Sequence, residues 1–152
     1  KARSEWIIAP ILAEVRRQLH HRVSLFSGVA LDVDAKRGLT GVCDFILSRS
    51  PIQYYLESPV AVIVEAKKED IIGGFGQCTA AMIGTREFNR RAGHELPTIY
   101  GAVTMGNQWK FLKLEGDVAA IDAEDYYLSN IDKIIGILCW IALPDVEAQQ
   151  PA

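Results

Sequence analysis

The stretch Val60-Ala-Val-Ile-Val-Glu-Ala-Lys67 decides the fold. It shows no in-out alternation, because both faces stay apolar until the charges of Glu65 and Lys67 arrive. A run of this kind suits a central strand covered on both sides. Side chains two apart on a strand project to the same face, so Glu65 and Lys67 share one face at the end of the strand and Ala66 points the other way.

Working upstream, Val23-Ser-Leu-Phe-Ser-Gly-Val-Ala-Leu-Asp-Val33 and Leu39-Thr-Gly-Val-Cys-Asp-Phe-Ile-Leu47 are rich in β-forming residues. Asp34-Ala-Lys-Arg-Gly38 joins them as a turn, which predicts a hairpin. Asp44 stands in its second strand, among Val42 and Ile46. Neighbouring strands lie about 4.8 Å apart, so if this strand adjoins 60–67, Asp44 and Glu65 can grip one cation. Arg49 to Pro59, bracketed by prolines, reads as a surface connection. Apolar residues at helical spacing predict a first helix over 4–20, with Ser4 as N-cap and Pro10 marking a kink or a late start.

Downstream, Gly73-Gly-Phe-Gly76 opens a second helix running to about residue 91 and stopped by Gly93. Its Ala80, Ala81 and Gly84 suit close packing. Residues 98–104 and 108–114 alternate around Met105-Gly-Asn107 and predict a hairpin, with a weaker strand near 118–121. A final helix over 130–142 stops before Pro144. This order predicts an α/β sandwich with a mixed sheet and helices on both faces, a single domain over residues 1–143, and a tail that frays over 144–152.

Composition narrows the class. The chain has 152 residues, nearly half apolar and under a quarter charged, as expected for a packed globular domain. Its longest apolar run, Ile134 to Leu143, is shorter than the roughly 18 to 20 residues a bilayer span requires, so no membrane role is expected. The opening Lys1-Ala-Arg-Ser-Glu-Trp6 has no signal-peptide layout and no initiating Met, which fits a chain trimmed at its N-terminus. Three scattered cysteines, Cys43, Cys78 and Cys139, argue against a disulfide framework and for a cytoplasmic location. A net charge of −3 argues against coating nucleic acid by electrostatics alone.

Other motifs give less. Gly73-Gly-Phe-Gly76 lacks the Gly-Lys-Ser/Thr ending of a phosphate-binding loop, and a tight turn explains it. No Gly-x-Ser-x-Gly elbow is present, and no cysteine has a convincing histidine partner. Arg86, Arg90 and Arg91 on the second helix can contact phosphates or simply face water. Tyr54 and Tyr55 can stack on bases or shield a sheet edge. Glu65 and Lys67 also have a plain alternative, a surface ion pair of little worth.

Asp44 followed by Glu65-Ala66-Lys67 at the end of an apolar strand resembles the PD-(D/E)XK superfamily of restriction-endonuclease-like proteins. The resemblance implies a restriction-endonuclease-like α/β/α sandwich with a mixed central sheet, and metal-dependent hydrolysis of phosphodiester bonds in DNA. It implies Asp44, Glu65 and the Ala66 carbonyl as ligands of Mg²⁺ or Mn²⁺, with Lys67 as the catalytic lysine. Glu14 matches an acid that many members add from the first helix, and Gln77 a polar helper early in the second. Cys43 stands where the motif's proline would be. Two other readings stay open: a nuclease-fold module without turnover that binds or regulates, and a structural homodimer formed through Trp140 and the C-terminal helix.

Overall fold

The strand at Val60–Ala66 (β3) is buried along almost its whole length and is paired on both sides. In the computed structural model, which describes residues 1–144, β2 (Val42–Ser48) runs antiparallel to it on one side and β4 (Thr98–Thr104) parallel to it on the other. The remaining strands are β1 (Ser24–Ala30), β5 (Gln108–Glu115), β6 (Val118–Ile121) and β7 (Tyr126–Tyr127). The sheet order is β1-β2-β3-β4-β5-β6, with β7 also paired to β5. It is a mixed, mostly antiparallel seven-stranded sheet whose parallel pair is β3 with β4.

The helices α1 (Ala9–Gln18), α2 (Gly74–Arg91) and α3 (Ile131–Ala142) divide between the two faces. Val62, Val64 and Ala102 pack in one core with Leu12 and Val15 of α1 and Leu138 of α3. Ile63 and Val103 turn to the other core, where Cys78 and Met82 of α2 meet them. Both faces of β3 are therefore dry, which is why its sequence does not alternate. The crossover from β3 to its parallel neighbour β4 is made by α2, as a parallel pair requires. The backbones approach closely there: a Cβ on Gly101 of β4 would stand 2.7 Å from both Cys78 Sγ and Met82 Sδ.

Several boundaries differ from the sequence reading. Ser4 does not cap the first helix; Ser4–Ile8 form a π-helical turn that leads into α1, with Ala9 N–H bonded to Ser4 O. Pro10 explains the wide turn, since it has no N–H and its ring would crowd the carbonyl four residues back in a regular helix. The turn between β1 and β2 falls where expected. Asp34 accepts the N–H of Lys36 at 3.1 Å, and Gly38 takes the left-handed conformation, φ 71°. The connection at 49–59 is exposed at Tyr54 but anchored at its ends. Ser50 is buried and donates its hydroxyl to Glu57 Oε2 at 2.8 Å. β7 was not expected. The tail beyond Pro144 lies outside the described residues. Among the described residues no helix is long and apolar enough to cross a membrane.

Candidate functional site

Regular pairing between β2 and β3 stops at Phe45 opposite Val64, one step before Asp44 and Glu65. Past that point the Asp44 side chain takes over from the backbone: its Oδ2 accepts the N–H of Ala66 at 2.8 Å. On the far side of β3, Lys67 N–H is held by Thr104 O at 2.8 Å. The N–H and C=O of one strand residue point to the same side, so the Ala66 carbonyl also faces Asp44. Opposite Asp44 on β1 stands Gly28, between the pairs Ser27–Phe45 and Val29–Cys43, with a left-handed φ of 60° that a side chain would disfavour. The β1–β2 pairing skips this position and resumes beyond it.

Asp44 and Glu65 meet. Glu65 is 3% exposed and shares a hydrogen bond with the Asp44 side chain. Burial, reinforced by that bond and by the Asp44 charge and only partly offset by Lys67, pushes the Glu65 carboxyl up to about 8. Near neutrality Glu65 therefore keeps its proton and shares it in the hydrogen bond with the Asp44 side chain. Lys67 reaches the same end of the strand and donates from Nζ to Gln77 Oε1 on α2 at 3.0 Å.

An open cleft of about 800 Å³ lies in front of Asp44, Ala66 and Lys67, bounded by these and Lys68 on the sheet side and by Arg3, Glu5 and Ala9 on the helix side, while Glu65 and Gln77 line a separate space on the α2 side of the sheet. Arg3 donates to the Lys68 carbonyl at 2.6 Å and ties the start of the helix to the end of β3. Glu14 is not part of this cleft. It is locked by Arg17 through two bonds of 2.7 Å and by Gln18 at 2.9 Å, and Arg17 holds its carboxyl down at about 2. It lies towards α3, where Gln18 meets Cys139 Sγ at 3.9 Å. Helical spacing shows which face a residue occupies but not which end of the helix reaches the site, and here it is the N-terminal end. Glu5 is the first-helix acid at the cleft, and an acid in the opening turn was the available signal.

The structure thus brings together Asp44, Glu65, Ala66, Lys67 and Gln77, and leaves Glu14 apart. Among the described residues no three His, Cys, Asp or Glu side chains converge. The protein offers two carboxylates and one backbone carbonyl, an all-oxygen set suited to a hard divalent ion that keeps several waters. Two carboxyls forced to share a proton are a fitting place for a cation, which would replace that proton. Cys43, beside Glu65, is no nucleophile, since burial pushes its thiol up to about 11. No family model matches the chain, and neither the curated proteins nor the solved structures contain a match to it.

Proposed function

We propose that the protein is a divalent-metal-dependent phosphodiesterase acting on DNA, built on a restriction-endonuclease-like variant of the α/β/α arrangement. The observation that carries this reading is the proton-sharing pair Asp44–Glu65 with Lys67 beside it at the end of a buried central strand. The order of a helix, three strands, a crossover helix and a fourth strand supports the fold assignment.

Asp44, Glu65 and the Ala66 carbonyl would hold Mg²⁺ or Mn²⁺. The ion's chemistry is to acidify a bound water and to offset charge on the phosphate. Lys67 supplies a positive charge at the cleft where negative charge grows on the phosphate oxygens, and Gln77 fixes the ammonium's position. Arg3 and Lys68 on the rim add cations for the flanking backbone. Incubation of the purified protein with DNA and Mg²⁺ or Mn²⁺ tests the reading, which expects cutting that Lys67→Ala abolishes. No cutting of any nucleic acid, or undiminished cutting by the variant, defeats it.

A second reading, a module of the same fold that binds or regulates without turnover, is favoured by the small donor set and the acidic net charge. Calorimetry separates the two. An abandoned site takes up no Mg²⁺ or Mn²⁺ that Asp44→Asn would abolish.

A further inference from the structure

The outward face of α3 carries a combination that one chain does not explain. After Asp132 and Lys133 the helix has no charged residue, and the positions it turns to solvent are Gly136 and Trp140, flanked by the partly buried Ile137 and Cys139. A surface helix ordinarily places polar side chains there. Trp140 is 50% exposed, beside a hollow of about 370 Å³ lined by Tyr100, Phe111, Ile121 and Ile137.

Gly136 is the sharper anomaly. Glycine inside a helix is destabilising relative to alanine, and it is kept where a neighbour comes too close for a side chain or where φ is positive. Neither holds here: Gly136 has an ordinary helical backbone, and a Cβ built on it would meet nothing within 4 Å.

The spacing of the two residues supplies the reason. Positions 136 and 140 are four apart, so they lie on one stripe of the helix, about 6 Å from each other along its axis. A two-fold axis set between them lays an antiparallel copy of α3 on the first, with each Trp140 over the other chain's Gly136. One surface thus provides both knob and hole, as an isologous contact requires. In the same register Lys133 falls near the C-terminal end of the partner's helix, where a cation is favoured, and the two helix dipoles run in opposite directions.

We infer that α3 is a self-association surface on which two chains pack antiparallel, Trp140 of each seated on the partner's Gly136. The inference is independent of the nuclease reading. Half of Trp140 and of Ile121, with the flanking apolar groups and a polar rim, amounts to on the order of 500 Å² per chain, close to the total of about 1,000 Å² at which specific interfaces begin. The dimer is therefore a weak one, with micromolar affinity. The chain's own remaining residues are poorly suited to this face, since among 145–152 only Val146 is a large apolar residue.

Sedimentation velocity of the whole protein across the micromolar range tests the pairing, and the wild type is expected to pass from monomer to dimer. Gly136→Leu fills the hole without touching its own chain, and Trp140→Ala removes the knob. Each should weaken the dimer about tenfold or more while thermal unfolding stays cooperative. Gly136→Trp combined with Trp140→Gly exchanges knob and hole and should bring affinity back to within about threefold of the wild type. If Trp140→Ala does not fold, Gly136→Leu decides, because its side chain enters open space. A wild type that stays monomeric overturns the proposal and leaves the face to a different protein. A dimer that the single variants leave intact, or that the exchange does not restore, overturns it as well.

Discussion

Asp44 Oδ2 accepts the backbone N–H of Ala66 at 2.8 Å, so a side chain from one strand completes the hydrogen bonding of the next where the regular ladder has ended. This bond separates two roles of the carboxylate. Asp44→Asn keeps an oxygen for Ala66 but loses the negative charge. It is expected to leave the melting temperature within a few degrees and to weaken Mn²⁺ binding by more than the roughly 10- to 100-fold that losing an outer-shell partner costs. Asp44→Ala also strands the N–H and should cost about 1–3 kcal/mol in urea denaturation. Equal stability of the two variants would show that the bond contributes nothing.

The proton shared with Glu65 makes stability depend on pH. The carboxyl titrates near 8 in the folded chain and near its usual 4.5 when unfolded, so the folded state binds the proton more tightly. The resulting stability is fully present below pH 4.5 and is lost as pH rises towards 8, by at most about 1.4 kcal/mol per unit. Urea midpoints at pH 5 and pH 8.5 should show this fall, and Glu65→Gln should flatten it.

Loss of Lys67 and loss of Gln77 should differ in degree. Lys67→Ala removes the charge at the cleft and is expected to slow cutting by roughly a hundredfold or more while Mn²⁺ binding persists. Gln77→Ala removes only the group that holds the ammonium, so a smaller drop is expected, with partial rescue by Gln77→Asn. Single-turnover cleavage alongside calorimetry reads both.

Gly101 offers a prediction independent of function. A methyl there meets two sulfur atoms at 2.7 Å, so Gly101→Ala forces α2 away from β4 and should cost about 1–3 kcal/mol. In a double-mutant cycle Gly101→Ala should cost less in the Met82→Ala background than in the wild type, although Met82→Ala is itself destabilising, as read by thermal or urea unfolding.

The outer surface of α3 bears on self-association. Trp140 is half exposed and makes an edge-on contact with Tyr100 at 6.1 Å between ring centroids, over an apolar hollow that includes Ile121 and Ile137. If two chains pair through this face, light scattering at high concentration reports a dimer that Trp140→Glu disperses. A monomer under those conditions removes the homodimer from consideration.

What was legible in the sequence was periodicity, and what was not was position along an axis. Val60 to Val64 revealed a doubly covered strand because burial on both faces leaves no polar residue to place. Asp44 and Glu65 were expected to meet if their strands were neighbours, and β2 and β3 are. Glu14 failed for the opposite reason: a helix crossing a sheet brings only one end to the strand termini, and its apolar stripe looks the same from either end. Ala80, Ala81 and Gly84 suggested a tight helix contact. Gly84 does lie within contact range of Leu31 and Leu39 beside a small cavity, and a tighter approach that the helix sequence did not show is made by Gly101 of β4 against Cys78 and Met82. Tyr126 and Tyr127, a two-residue strand held by pairing with Trp109 and Gln108, are too short to show any period.

The parallel pairing of β3 with β4 also sets an order of events during folding. β1, β2 and β3 can zip together as successive antiparallel neighbours, whereas β4 reaches β3 only after the 31 residues between Ala66 and Thr98 have closed their loop through α2. Loop closure over such a distance is slower than hairpin formation. Asp44 and Glu65 can therefore lie side by side before Lys67 is fastened to Thr104 and reaches Gln77, so the acidic half of the site matures ahead of the basic half. A chain caught midway would carry two crowded carboxyls without their lysine.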